Sequence, residues 1–159
     1  METISSKDTS NYIKRGKEKI DQNKYEEAIK CFDKALKIDP KNFEAHLLKG
    51  NVLFDLGNLE EALKAYNDAL KINRTHLGAH YNKCGILLDM GKYEEAEKCT
   101  DKLLKSNSED LDALNLKGLI FLENEKYNKS IEYFDKALNI FLHDVFQFLI
   151  LTQTTNRYL

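Results

Sequence analysis

Tyr25–Pro40 reads Y-E-E-A-I-K-C-F-D-K-A-L-K-I-D-P, and the same pattern returns every 34 residues. From Leu59 it is L-E-E-A-L-K-A-Y-N-D-A-L-K-I-N-R, and from Tyr93 it is Y-E-E-A-E-K-C-T-D-K-L-L-K-S-N-S. A fourth copy begins at Tyr127 as Y-N-K-S-I-E-Y-F-D-K-A-L-N-I-F-L. Each copy follows a second pattern centred on a small residue: Gly16, Gly50, Cys84 and Gly118, again 34 apart. A fixed period of this length marks a solenoid, in which one supersecondary unit stacks on the next.

The spacing of apolar residues makes both halves of the unit helical. In the first copy Tyr12, Ile13, Gly16 and Ile20 lie on one face of a helix that opens near Ser10 and ends in the polar cluster Asp21-Gln22-Asn23. Tyr25, Ala28, Ile29, Phe32, Ala35, Leu36 and Ile38 lie on a face of the next helix. Pro40 is expected to end that helix, because its ring disfavours a helical conformation at Asp39. Later pairs are expected at Phe43–Leu56 with Leu59–Ile72, Leu77–Met90 with Tyr93–Lys105, and Leu111–Asn124 with Tyr127–Ile140. Gly57 and Gly91 mark tight turns, where positive φ comes readily to glycine. Such short joints force antiparallel packing. The small residues Gly16, Gly50, Cys84 and Gly118 face Ala28, Ala62, Ala96 and Ser130 at close helix crossings, with Phe32, Tyr66 and Phe134 filling the space beside them.

Composition narrows the functional classes. A net charge of -2 argues against a general nucleic-acid binder, which carries a basic face. The longest apolar run, near Phe146 to Leu151, is short of the roughly 20 residues that span a bilayer. No secretory leader pattern opens the chain. Cys31, Cys84 and Cys99 form no CxxC pair and are odd in number, so all three are read as reduced, packed residues of a cytoplasmic protein. His76 and His80 stand four apart without the further ligands a zinc site needs, and His46 and His80 are read as packing residues. No nucleophile–base pair or glycine-rich phosphate loop is present, so no enzyme activity, cofactor or metal is expected.

Together these residues resemble a tetratricopeptide repeat (TPR) array. The family's 34-residue unit carries a small residue on its first helix, then Ala, a large aromatic, Ala and Pro along and after its second. Gly16, Ala28, Phe32, Ala35 and Pro40 supply the complete set. Gly50, Ala62, Tyr66 and Ala69 supply it without the proline, where Arg74 stands. The third unit is degenerate, with Cys84, Thr100, Leu103 and Ser108; the fourth keeps Gly118, Phe134 and Ala137 but has Ser130 and Leu142. The basic residues Arg15, Lys49, Lys83 and Lys117 occupy a position that is usually apolar in the family. The resemblance implies an all-α, right-handed superhelix of antiparallel helix pairs. Four units are expected at 9–42, 43–76, 77–110 and 111–144, after a flexible start over 1–9 and before an apolar C-terminal helix over 143–159.

It also implies a protein-interaction module with a concave groove for a partner protein or peptide. The family's inward positions fall on Ile13, Lys17 and Ile20 in the first unit and on Leu47, Asn51 and Phe54 in the second. They fall on Tyr81, Asn82 and Leu88 in the third and on Asn115, Leu119 and Leu122 in the fourth. Asp21, Asp55, Asp89 and Glu123 add an acidic edge, which suits a partner with basic flanks and serves equally to solvate a helix end. The subclass that clamps a chaperone's C-terminal carboxylate is excluded, since its cationic positions here are Leu47, Asp112 and Leu116. The runner-up reading is self-assembly. Phe141, Val145, Phe146, Phe148 and Leu149 make the tail apolar on more than one side, which suits a homodimer through that tail or a cap folded on the last repeat.

Overall fold

The computed structural model describes residues 6–155, with side chains for residues 7–148. All eight of its elements are α-helices: α1 (Ser6–Asp21), α2 (Tyr25–Ile38), α3 (Phe43–Asp55), α4 (Leu59–Ile72), α5 (Leu77–Asp89), α6 (Tyr93–Ser106), α7 (Leu111–Glu123) and α8 (Tyr127–Thr155). They form two compact units, α1–α5 through Met90 and α6–α8 from Gly91. In the first, α1 pairs with α2 and α3 with α4, while α3 packs on α2 and α5 on α4. In the second, α7 pairs with α8 and α6 packs on α7. The expected flexible start is helical from Ser6, with Thr9 buried and Asp8 in the first turn, where a carboxylate suits the helix dipole. Met1–Ser5 lie outside the described residues.

Repeated local chemistry sets the helix ends. After the first helix of a pair, Lys24, Asn58 and Lys126 donate their backbone N–H to the carbonyls of Lys19, Leu53 and Phe121, each at 2.8 Å. Asn23, Gly57 and Glu125 donate to Ile20, Phe54 and Leu122, completing a Schellman turn. The turn needs one residue with positive φ. Gly57 (75°) and Gly91 (67°) take it without strain, whereas Asn23 and Glu125 hold it at 57° with side chains.

The helices α2, α4 and α6 stop at Asp39, Asn73 and Asn107, whose backbones are extended. Each side chain accepts from the backbone N–H two residues on, at Lys41, Thr75 and Glu109. This Asx turn recurs where Pro40 is replaced by Arg74 or Ser108, so the acidic or amide residue, more than the proline, stops the helix. In the fourth copy the position is Phe141, which has no acceptor to offer. Helix α8 accordingly runs on to Thr155, and the C-terminal helix is the continuation of the fourth unit's second helix.

The core is made of small-against-large crossings. Ala28, Phe32 and Val52 form one buried cluster; Leu53, Ala62, Ala65, Tyr66 and Ile86 form another. A Cβ added at Gly50 would lie 3.0 Å from the Tyr66 ring, and one at Gly118 would lie 2.6 Å from Phe134. Ser130 replaces the alanine of the fourth crossing and donates its hydroxyl to the Gly118 carbonyl at 2.9 Å. Thr100, at the degenerate aromatic position, is fully buried and bonds the Ala96 and Glu97 carbonyls of its own helix. Cys31 is a buried free thiol, as expected. Cys84 and Cys99 are not free thiols, which corrects the reading of three reduced cysteines and removes their support for a cytoplasmic setting.

Candidate partner-binding face

Two of the four basic positions peculiar to this chain, Lys49 and Lys117, are ion-paired between successive helices. Lys49 on α3 reaches Asp33 on α2 at 2.6 Å, and Lys117 on α7 meets Asp101 on α6. Lys117 is buried, and burial alone would lower its pKa; hydrogen bonds to Asp101 and Tyr133 reverse this and hold it raised. These two lysines therefore tie successive helices together. The histidines are similarly local. His46 and His80 each place Nε2 on a loop carbonyl, Pro40 at 3.0 Å and Arg74 at 2.8 Å, while His76 Nδ1 accepts from the Ala79 N–H. Among the described residues no group of three His, Cys, Asp or Glu side chains could hold a metal, and no helix is long and apolar enough to cross a membrane.

In the first unit, Asn51 on α3, Tyr66 on α4 and Asn82 on α5 come together. Tyr66 donates its hydroxyl to Asn51 Oδ1 at 2.6 Å, and Asn82 Nδ2 donates to Asn51 Oδ1 at 3.2 Å and to the Tyr66 hydroxyl at 3.1 Å. Both acceptor sites of Asn51 Oδ1 are thus used; the Asn51 amide N–H groups and the Asn82 carbonyl oxygen take no part in the row. Burial pushes the Tyr66 hydroxyl up to about 12, and the negative charge of Asp55 adds to the rise against the opposing Asn82 bond. The sequence names Asn51 and Asn82 as separate groove residues. It does not reveal the tyrosine between them, because Tyr66 stands at a packing position of the repeat.

Around this row Phe54 is 41% exposed, Leu47, Tyr81 and Leu88 are half-buried, and Asp55 and Asp89 are exposed. Lys17 is paired with Glu44 at 2.6 Å, linking α1 to α3. In the second unit α7 presents Asn115, Leu119, Leu122 and Glu123, all exposed. On α8, Phe141, Val145, Phe146 and Phe148 are exposed as well; the side chain of Leu149 lies outside the described residues.

The tetratricopeptide repeat family model matches residues 86–141, and that of anaphase-promoting complex (cyclosome) subunit 3 matches residues 21–100. The chain is a tetratricopeptide repeat protein. No curated protein sequence matches it. Among solved structures it is similar to MamA, with 22% identity over 86% of this chain and 80% of that one and a TM-score of 0.78, a likeness of fold alone. YrrB, described as a TPR protein with an unusual peptide-binding site, is 25% identical over 83% of this chain and 68% of that one, with a TM-score of 0.75. The first TPR of Spaghetti (RPAP3), bound to HSP90 peptide SRMEEVD, is 25% identical over 76% of this chain and 95% of that one, with a TM-score of 0.67. The TPR fold, with neighbours that bind peptides, supports a protein-interaction module.

Proposed function

We propose that this TPR chain is a non-enzymatic interaction module that holds a partner segment across Asn51, Tyr66 and Asn82. The hydrogen-bonded row carries the reading. It holds two amides in place and leaves the Asn51 N–H groups and the Asn82 carbonyl oxygen outside its bonds, the complement of a peptide backbone. The bonds also remove the entropy cost of orienting those amides when a partner arrives. Phe54 supplies an exposed aromatic contact beside the row, the kind of residue that anchors interfaces. Asp55 and Asp89 favour Lys or Arg flanking the partner's apolar anchors and speed encounter at low salt. A C-terminal carboxylate is a poor ligand, because Leu47, Asp112 and Leu116 provide no cation at the positions where the chaperone-binding subclass has one.

Selection from short displayed peptides tests this reading. Binders should be enriched in an apolar anchor with Lys or Arg on either side. Enrichment of acidic peptides, or retention of binders by a Phe54→Ala/Asn82→Ala variant, would contradict it.

A further inference from the structure

The outer face of α8 repeats a face that is covered elsewhere in the same molecule. Leu36, Leu70, Leu104 and Leu138 occupy one position of the repeat. Leu70 is 8% exposed on α4, on which α5 packs, and Leu36 packs against the cluster of Ile13, Ala35 and Ala45, whereas Leu138 is 53% exposed. Ile131, at the position of the half-buried Ile29, is 58% exposed. Leu142 continues the same stripe one turn beyond Leu138 and is also 53% exposed. Since α8 runs to Thr155 without a turn, no later helix of the described chain folds back onto this strip.

What fits such a strip is visible where it is filled. The covering helices α3 and α7 read Ala45, Leu48, Lys49, Val52 and Ala113, Leu116, Lys117, Ile120 at the spacing i, i+3, i+4, i+7. The alanines are fully buried, and each lysine pairs with an aspartate of the helix beneath, Asp33 or Asp101. Asp135 stands at that aspartate's position on α8, beside Ile131 and Leu138. The first helix of a second copy is a poor occupant. At the corresponding positions α1 has Asn11, Lys14, Arg15 and Glu18, all exposed, which supply a cation but no apolar contact.

We infer that Ile131, Asp135, Leu138 and Leu142 form a docking strip for an amphipathic helix carrying Ala, Leu, Lys and Val or Ile at i, i+3, i+4 and i+7. The lysine pairs with Asp135 while the apolar residues cover Ile131 and Leu138. This surface is separate from the Asn51–Tyr66–Asn82 row, so either can fail without the other.

The probe is a fluorescein-labelled, acetylated and amidated peptide with the sequence of residues 42–57, titrated into the full chain by anisotropy. Saturable binding is expected, about tenfold weaker for Asp135→Lys and recovered when the peptide carries Lys49→Glu. Binding should be unchanged by Phe54→Ala/Asn82→Ala. Equal affinity for the Asp135→Lys variant, no recovery in the charge swap, or loss in the Phe54/Asn82 variant would each overturn the inference. So would a doubled mass of the full chain alone that Leu138→Asp abolishes, since a second copy would then own the strip.

Discussion

Gly118 has no room for a methyl group: a Cβ there would press to within 2.6 Å of the Phe134 ring, which is itself held in the crossing of α7 and α8. Gly85 on α5 faces open space, with nothing within 4 Å of an added Cβ. The same substitution should therefore have opposite signs at the two sites. In chemical denaturation, Gly118→Ala should cost about 1–3 kcal/mol by overpacking, while Gly85→Ala should gain about 0.5–1 kcal/mol of helix propensity. Equal effects would mean that the crossing relaxes freely. Tyr66 gives a second residue-scale expectation. Its folded pKa, about 12, lies above the ordinary 10.0, because burial penalises the phenolate. The stabilisation is thus fully present below pH 10 and lost as pH rises through 12, a fall of roughly 3 kcal/mol. Phenolate absorbance should show a phase that titrates late and only with unfolding, and Tyr66→Phe should remove that phase. A Tyr66 that ionises near pH 10 with the fold intact would refute the buried row.

At the scale of the element, the helix starts after α1 and most ends were readable from sequence because turn chemistry is local, whereas α1 begins at Ser6 and not near Ser10. The expected Leu59–Ile72 agrees with α4, and the first helices of the later pairs differ by one residue at their ends. The last helix was not readable from the repeat alone. The 34-residue pattern implies a stop near Ile140, but a stop depends on one side chain, and Phe141 replaces the Asp or Asn that closes α2, α4 and α6. Restoring Asp and Pro in place of Phe141 and Leu142 should end α8 at Ile140. Far-ultraviolet circular dichroism should then lose roughly the helical signal of residues 141–155. An unchanged signal would show that the Asx turn does not govern the stop. The candidate face was legible in the same uneven way. Inward positions of the repeat named Asn51 and Asn82, yet their bonds to Tyr66 depend on side chains meeting across three helices, which no linear pattern records. Lys49 and Lys117 looked like departures from the family and prove to be in inter-helix ion pairs, legible only once Asp33 and Asp101 are seen opposite them.

For the molecule as a whole, a net charge of -2 and the all-helical described residues go with recognition by local faces, the two proposed being the Asn51–Tyr66–Asn82 row and the α8 strip. The outer strip of α1 is polar, whereas that of α8 is apolar. A polar strip needs no cover, and the apolar one suits the proposed docking. The central claim is that an ordered pair of amides with an aromatic neighbour binds a basic-flanked segment. It is tested most directly by isothermal titration of one selected peptide into the wild type and into Phe54→Ala/Asn82→Ala, at low and high salt. The account predicts that the double variant, with its helical signal intact, loses at least about 2 kcal/mol of binding, and that salt weakens the wild-type complex. A variant that binds as tightly as the wild type, at either salt concentration, would contradict it.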